Sequence, residues 1–172
     1  MFQIGEMVAY GATGVCTIED IRMEAVSRAG TKKQEFYILR PAATPSCITY
    51  VPTANAALTA KLRPILTRQE IDAMIASVKD QKLEWIDDTR RRAEAYGQIL
   101  SGGISAELLK LIACLYVEKK SRIRGGRKFS ATDEKILSSA ERMVSEEFSY
   151  ALQIPQNQVT AYIAEKMEET VS

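Results

Sequence analysis

Pro64-Ile65-Leu66-Thr67-Arg68-Gln69-Glu70-Ile71 is the stretch at which the chain changes character. Pro64 is the fourth of five prolines, and the fifth, Pro155, comes only after an uninterrupted interval from Leu66 to Ile154. A continuous helical region needs such an interval, because proline lacks the N–H donor and clashes with the turn before it. Thr67-Arg68-Gln69-Glu70 also matches a capping box, in which the threonine hydroxyl and the Glu70 carboxylate each satisfy a free backbone N–H. A helix is expected to start here, and the two sides of this point read differently.

On the N-terminal side, short β-rich runs alternate with turn residues. Met7 to Tyr10 is followed by Gly11-Ala12-Thr13-Gly14, a turn signal, and then by Val15 to Met23. Ala25 to Lys33, with Gly30 inside, reads as a flexible hairpin connection. Phe36, Ile38 and Leu39 mark the next run, and Cys47-Ile48-Thr49-Tyr50-Val51 another, stopped by Pro52. Four or five short strands in about 65 residues suggest a small, strongly bent antiparallel sheet or partly open barrel.

On the C-terminal side the apolar residues recur at helical spacing. Ile71, Met74, Ile75 and Val78 stripe the first helix. A second is expected from about Glu84 to Leu100, ended by Ser101-Gly102-Gly103. A third, Ser105 to about Ser121, carries enough leucine to lie at the centre of a bundle. A fourth runs from Ser130 or Ala131 to Leu152, and Pro155 suits the first turn of a short last one. The fold class is therefore α+β, with a small antiparallel β domain over residues 1–66 and an all-α bundle over residues 67–172.

Composition narrows the function. The 172 residues carry 23 Lys and Arg against 22 Asp and Glu and contain no histidine, which removes imidazole bases, histidine metal ligands and the Ser-His-Asp arrangement. Catalytic residues, metal and cofactor are all expected to be none, and no small-molecule substrate is expected. Cys16, Cys47 and Cys114 form no CxxC pair and read as buried reduced thiols. The carboxylate pairs Asp87-Asp88 and Glu146-Glu147 are adjacent, diverge on a helix and read as surface charges. No apolar stretch is long enough for a membrane helix and the start resembles no signal peptide, so no membrane partner and a cytoplasmic location are expected.

The near-neutral total hides a polarised chain. Residues 90–128 hold ten basic and three acidic residues, a balance of +7, whereas residues 129–172 hold three and eight, a balance of −5. Lys119, Lys120, Arg122, Arg124, Arg127 and Lys128 fall within ten residues with Gly125 and Gly126 among them. They read as an exposed, mobile cationic loop suited to a phosphate backbone and poorly suited to base edges. Arg90, Arg91 and Arg92 form a second cluster, and on a helix no more than two of them can meet one ligand. Trp85, the single tryptophan, would share a helical arc with Thr89, Arg92 and Tyr96. It either closes the core or projects beside the arginines as a plate for base stacking; in the second case Trp85→Ala would change stability by less than about 1 kcal/mol.

Taken in order, several stretches resemble the CarD/CdnL family of bacterial transcription regulators. They are Phe2-Gln3-Ile4-Gly5-Glu6-Met7-Val8-Ala9-Tyr10, Gly14-Val15, Ile48-Thr49-Tyr50-Val51-Pro52, Trp85 with the arginines after it, and Ile99-Leu100-Ser101-Gly102-Gly103. The resemblance implies a Tudor-like N-terminal domain that binds the RNA polymerase β subunit. It also implies a helical C-terminal domain on double-stranded promoter DNA near the transcription bubble, and hence a nucleoid-associated protein. By that likeness Ile48, Thr49, Tyr50 and Val51 form the polymerase-contacting strand, Tyr50 standing where some members have arginine. Trp85 matches the tryptophan that wedges into the minor groove and stabilises the open complex, and Arg90, Arg91 and Arg92 match the basic stretch. Trp85 lies about four residues further from the Gly102 turn than in the family pattern, so the indole sits about 6 Å along the helix or the first turn is unwound. The alternative is a non-catalytic adaptor with a β peptide-binding module and a merely solubilising basic segment.

Overall fold

In the computed structural model, which describes residues 1–26 and 32–169, five antiparallel strands precede a set of helices. The strands are β1 (Met7–Tyr10), β2 (Gly14–Ala25), β3 (Lys33–Pro41), β4 (Thr49–Pro52) and β5 (Leu62–Pro64), in the sheet order β4-β3-β2-β1-β5. The chain divides into two units, Met1–Ile65 and Leu66–Ser172.

In the first unit, Val8, Cys16, Ile18, Tyr37, Leu39, Val51 and Leu62 form the core, with Phe2, Tyr10, Ile21 and Leu58 packed against it. β2 and β3 pair from Cys16 with Pro41 to Ala25 with Lys33, and the register shifts between Ile18 and Asp20. Glu19, the residue at that shift, accepts a fork of hydrogen bonds from Arg40 of β3, two of them at 2.8 Å. The connection expected between Ala25 and Lys33 falls largely on residues 27–31, outside the described residues; just before it the Val26 N–H donates to the Lys32 carbonyl at 2.9 Å.

Several strand expectations change in detail. β4 starts at Thr49, leaves Ile48 outside and includes Pro52, which an edge strand tolerates because its outward side needs no donor. Cys47 is exposed, not buried, because it precedes β4 in a turn where its N–H donates to the Thr44 carbonyl. Leu62–Pro64 is too short and too polar to announce itself as a strand, yet β5 pairs with β1. A single turn of helix, α1 (Ala56–Thr59), starts at Asn55, whose side chain accepts from the Leu58 N–H.

The second unit contains α2 (Arg68–Val78), α3 (Thr89–Gly102), α4 (Ser105–Arg124), α5 (Ala131–Leu152) and α6 (Gln156–Glu169). The capping box at Thr67 is formed with both of its bonds. At the centre lies α5, which packs on α2, α3, α4 and α6, instead of the leucine-rich α4. That centrality explains Glu146 and Glu147, which are 2% and 4% exposed and so are not surface charges. Glu147 accepts from the Ser105 hydroxyl at 2.8 Å and from the Leu66 N–H at 3.2 Å, while Arg142 approaches Glu146 at 3.5 Å. A buried carboxylate persists only with such partners.

Two glycines in this unit have opposite roles. Gly126 ends the turn after α4 at φ +70°, and Gly97 lies inside α3 with no atom within 4 Å of where a Cβ would stand. Left-handed backbone costs a side-chain-bearing residue about 1–2 kcal/mol, so Gly126→Ala should destabilise by about that much. Gly97→Ala should stabilise by about 0.5–1 kcal/mol, since the alanine narrows the unfolded ensemble and meets no neighbour. Urea titration of the two variants should give shifts of opposite sign.

Candidate nucleic-acid interface

Trp85 is not on a helix. Residues 81–88 have no regular structure, and α3 starts only at Thr89, where the Asp88 carboxylate accepts from the Arg91 N–H at 2.8 Å. Asp88 is a strong helix cap and Asp87 a poor helix former, so the backbone turns helical after them and not at Glu84. The first turn expected for the second helix is therefore unwound, and the arc of Trp85 with Thr89, Arg92 and Tyr96 does not form as a wheel.

A substitute for the missing helical bonds comes from two side chains of α3. Arg92 donates to the carbonyls of Ile86 at 2.8 Å and Asp87 at 3.1 Å, and the Tyr96 hydroxyl donates to the carbonyl of Glu84 at 3.1 Å. Three carbonyls around Trp85 are thus tied to one rigid element. Arg92 is itself held from α5: its Nε and Nη2 donate to the two carboxylate oxygens of Asp133 at 2.9 and 2.8 Å. Both partners are only 3% exposed. Ser130 completes the arrangement, its hydroxyl accepting from the Asp133 N–H and donating to Asp133 Oδ2 at 2.7 Å.

The electrostatics agree with this geometry. Burial alone would raise the Asp133 carboxyl, but the hydrogen bonds from Arg92 and Ser130 outweigh it and hold the group below its ordinary value. Arg92 is pushed up, chiefly by its hydrogen bonds to Asp133. Burial raises the Tyr96 hydroxyl, helped by the Cys114 thiol 3.6 Å away, so both stay protonated.

The indole of Trp85 is half-buried against the helical core and lies between cations. The Arg92 guanidinium is 4.2 Å from its ring centre, that of Arg122 is 5.4 Å away, and Tyr96 meets it edge-on at 6.3 Å. Cation–π contacts of this kind contribute roughly 0.5–2 kcal/mol. Trp85→Ala should therefore cost about 2 kcal/mol of stability, more than a freely projecting plate would.

The expected cations divide by placement. Arg92 faces inward and does not belong to an outer surface, because its charge is satisfied by Asp133. Lys119 is paired with Glu134 at 2.7 Å, and Arg122 with Glu118 at 2.7 Å. Arg90, Arg91, Lys120, Arg124, Arg127 and Lys128 are exposed. Lys120, Arg124 and Arg127 line one shallow cavity of about 580 Å³ with Val117, Ser121 and Gly125. The basic stretch is not a mobile loop over its whole length, since α4 continues to Arg124. Lysine and arginine favour helix, the Glu118–Arg122 pair staples a turn, and cations suit the negative C-terminal end.

In the other unit, β4 is an edge strand. Tyr50 is 48% and Ile48 44% exposed, Val51 is fully buried, and Tyr50 meets Phe36 of β3 edge-on at 6.2 Å. The sequence puts Tyr96 near Trp85 but gives no sign that Asp133, with Ser130, holds the Arg92 that lies against the indole. Ser130-x-x-Asp133 is a capping pattern visible in the sequence, but nothing local says that its carboxylate also receives Arg92. Among the described residues no group of three or more His, Cys, Asp or Glu is placed to hold a metal, and no helix is long and apolar enough to cross a membrane.

The Arg92–Asp133 pair is testable without any ligand. Asp133→Asn leaves Arg92 buried without its counter-charge and should cost about 3–5 kcal/mol. Because the folded carboxyl lies below its unfolded value of about 3.9, its contribution is complete above that value and is lost as pH falls through the lower folded value. Urea titrations of the two proteins should differ by a constant amount from pH 7 to about 5, and by progressively less below about 4.

No curated relative matches the chain. Residues 2–66, the β unit almost in full, match the family described as the CarD-like/TRCF RID domain. Such a domain is a protein-interaction module rather than a catalytic one, and its association is with RNA polymerase and transcription. The match is confined to the β unit, and it is this unit that is similar to the CarD-like/TRCF RID domain.

Proposed function

We propose that this protein is a transcription regulator that binds the RNA polymerase β subunit and promoter DNA at the upstream edge of the bubble, stabilising the open complex. The observation that carries the reading is the indole of Trp85, half-buried, outside any helix and flanked by Arg92 and Arg122. An aromatic plate at a partly opened base step offsets the lost stacking, by roughly 1–3 kcal/mol per base. Arg90, Arg91, Lys120, Arg124, Arg127 and Lys128 supply exposed charge for phosphates, which positions the protein without reading sequence. The edge strand β4 is suited to polymerase binding by strand addition, with Ile48 and Tyr50 as exposed side-chain contacts and Thr49 and Val51 supplying backbone.

The pairing of Lys119, Arg122 and Arg92 with internal carboxylates favours a second reading, a non-catalytic adaptor whose basic segment only solubilises. One set of measurements separates the two. Trp85→Leu keeps an apolar group in the site, and loss of one stacked base should shorten the lifetime of the open promoter complex about tenfold, a change of about 1.4 kcal/mol. On forked promoter DNA, about four phosphate contacts give a slope of log K against log salt near −3.6. An unchanged lifetime with a flat salt response would establish the adaptor.

A further inference from the structure

Trp85 also lines a cavity of the helical unit, apart from the exposed cations of the proposed interface. It measures about 310 Å³, close to the lower end for small-molecule sites, and is bounded by four separate parts of the helical unit. The end of α2 gives Val78 and Lys79, the irregular segment gives Lys82, Leu83 and Trp85, α4 gives its Leu109-to-Glu118 face, and α6 gives Met167. Val78, Leu83, Trp85, Leu109, Ala113, Val117 and Met167 make most of the lining apolar. Cys114 contributes a thiol that burial keeps protonated, so it lines the cavity as an apolar group and not as a nucleophile.

The charged lining residues are Lys79, Lys82 and Lys110 with one carboxylate, Glu118, and Gln81 adds a polar group. Glu118 is already committed to Arg122 at 2.7 Å, and Lys110 to Glu107 at 2.6 Å. Lys79 and Lys82 make no ion pair among the described residues. Val117, at one side, also lines the cavity formed by Lys120, Arg124 and Arg127, so the surroundings are cationic on that side too. At the other side Leu109, Ala113 and Met167 are shared with a second apolar lobe of about 440 Å³ between α4, α5 and α6. Met167 stands where the lobes meet, and a flexible thioether is well suited to let a chain pass.

We propose that this cavity binds a small amphiphilic anion, its head group at Lys79 and Lys82 and its apolar body against Leu83, Trp85 and Met167. An apolar lining with a few polar groups matches that chemistry, because the lining gains by covering its surface and the free ammonium groups orient the head. A pit walled by four chain segments suits a compact ligand, whereas a partner helix needs a trough open at both ends. Occupancy would alter the packing of Trp85 and so link a soluble ligand to the indole. The inference does not depend on DNA or polymerase binding.

The full-length protein can be titrated with decanoate while the emission of Trp85, its only tryptophan, is followed. Saturable one-to-one binding with a change in Trp85 emission is expected, with decanol binding about tenfold or more weakly at the same pH. Ala113 is exposed, so Ala113→Phe can fill the cavity mouth without disturbing the core, and it should abolish the response. Lys79→Glu combined with Lys82→Glu should weaken decanoate about tenfold or more and leave decanol unaffected. Circular dichroism checks that each variant is folded. No saturable binding, equal binding of decanoate and decanol, or binding unaltered by Ala113→Phe would overturn the proposal. So would concentration-dependent dimerisation abolished by Ala113→Phe, which would assign the cavity to a second copy of the chain.

Discussion

The buried ion pair between Arg92 and Asp133 is the interaction on which the candidate interface depends. A bidentate pair 3% exposed on both sides is costly to desolvate and persists only with good geometry and further hydrogen bonds. Here the further bonds are the informative part. Ser130 supplies one to the carboxylate, and Arg92 spends its remaining donor on the carbonyls of Ile86 and Asp87. The pair thereby links α3 and α5 and also shapes a segment that has no secondary structure of its own. Trp85 inherits its position from this arrangement, with the guanidinium that makes the salt bridge also lying 4.2 Å from its ring centre.

That dependence explains why some features were legible in the sequence and others were not. The capping box at Thr67, the Gly102-Gly103 stop and the apolar stripes of α4 and α5 are local signals, and the corresponding elements form close to where they are expected. Trp85 is different. Its helical periodicity suggested a helix from Glu84, but Asp88 is the better cap, and a three-residue carbonyl pattern satisfied by Arg92 and Tyr96 replaces the missing turn. Nothing near Arg92 in sequence reports a partner 41 residues away. Adjacent carboxylates likewise read as surface charge at Glu146-Glu147, because nothing local shows that the helix carrying them lies at the centre. Cys47 is exposed for a simpler reason: the strand after it is shorter than its apolar residues imply.

Electrostatically, the helical unit separates two kinds of cation. Arg92, Lys119 and Arg122 are bound to carboxylates and serve structure, holding the indole and the end of α4. Arg90, Arg91, Lys120, Arg124, Arg127 and Lys128 are exposed and available to a polyanion. A count of basic residues cannot make this division; the acidic partners lie on α4 and α5 and become neighbours only through packing. The β unit is simpler in this respect. The edge position of β4 follows from strand order, and its exposed aromatic, Tyr50, follows from the alternation of side chains along a strand.

The central claim is that the indole held by Arg92 is the group that meets opened DNA. With Trp85 the only tryptophan, biosynthetic replacement by 5-fluorotryptophan gives one fluorine resonance for the whole protein. Titration with a forked promoter duplex should move or broaden that resonance, while a fully paired duplex of the same sequence should leave it nearly in place. A resonance unaffected by the forked duplex at concentrations where binding is complete would contradict the account and confine Trp85 to the core.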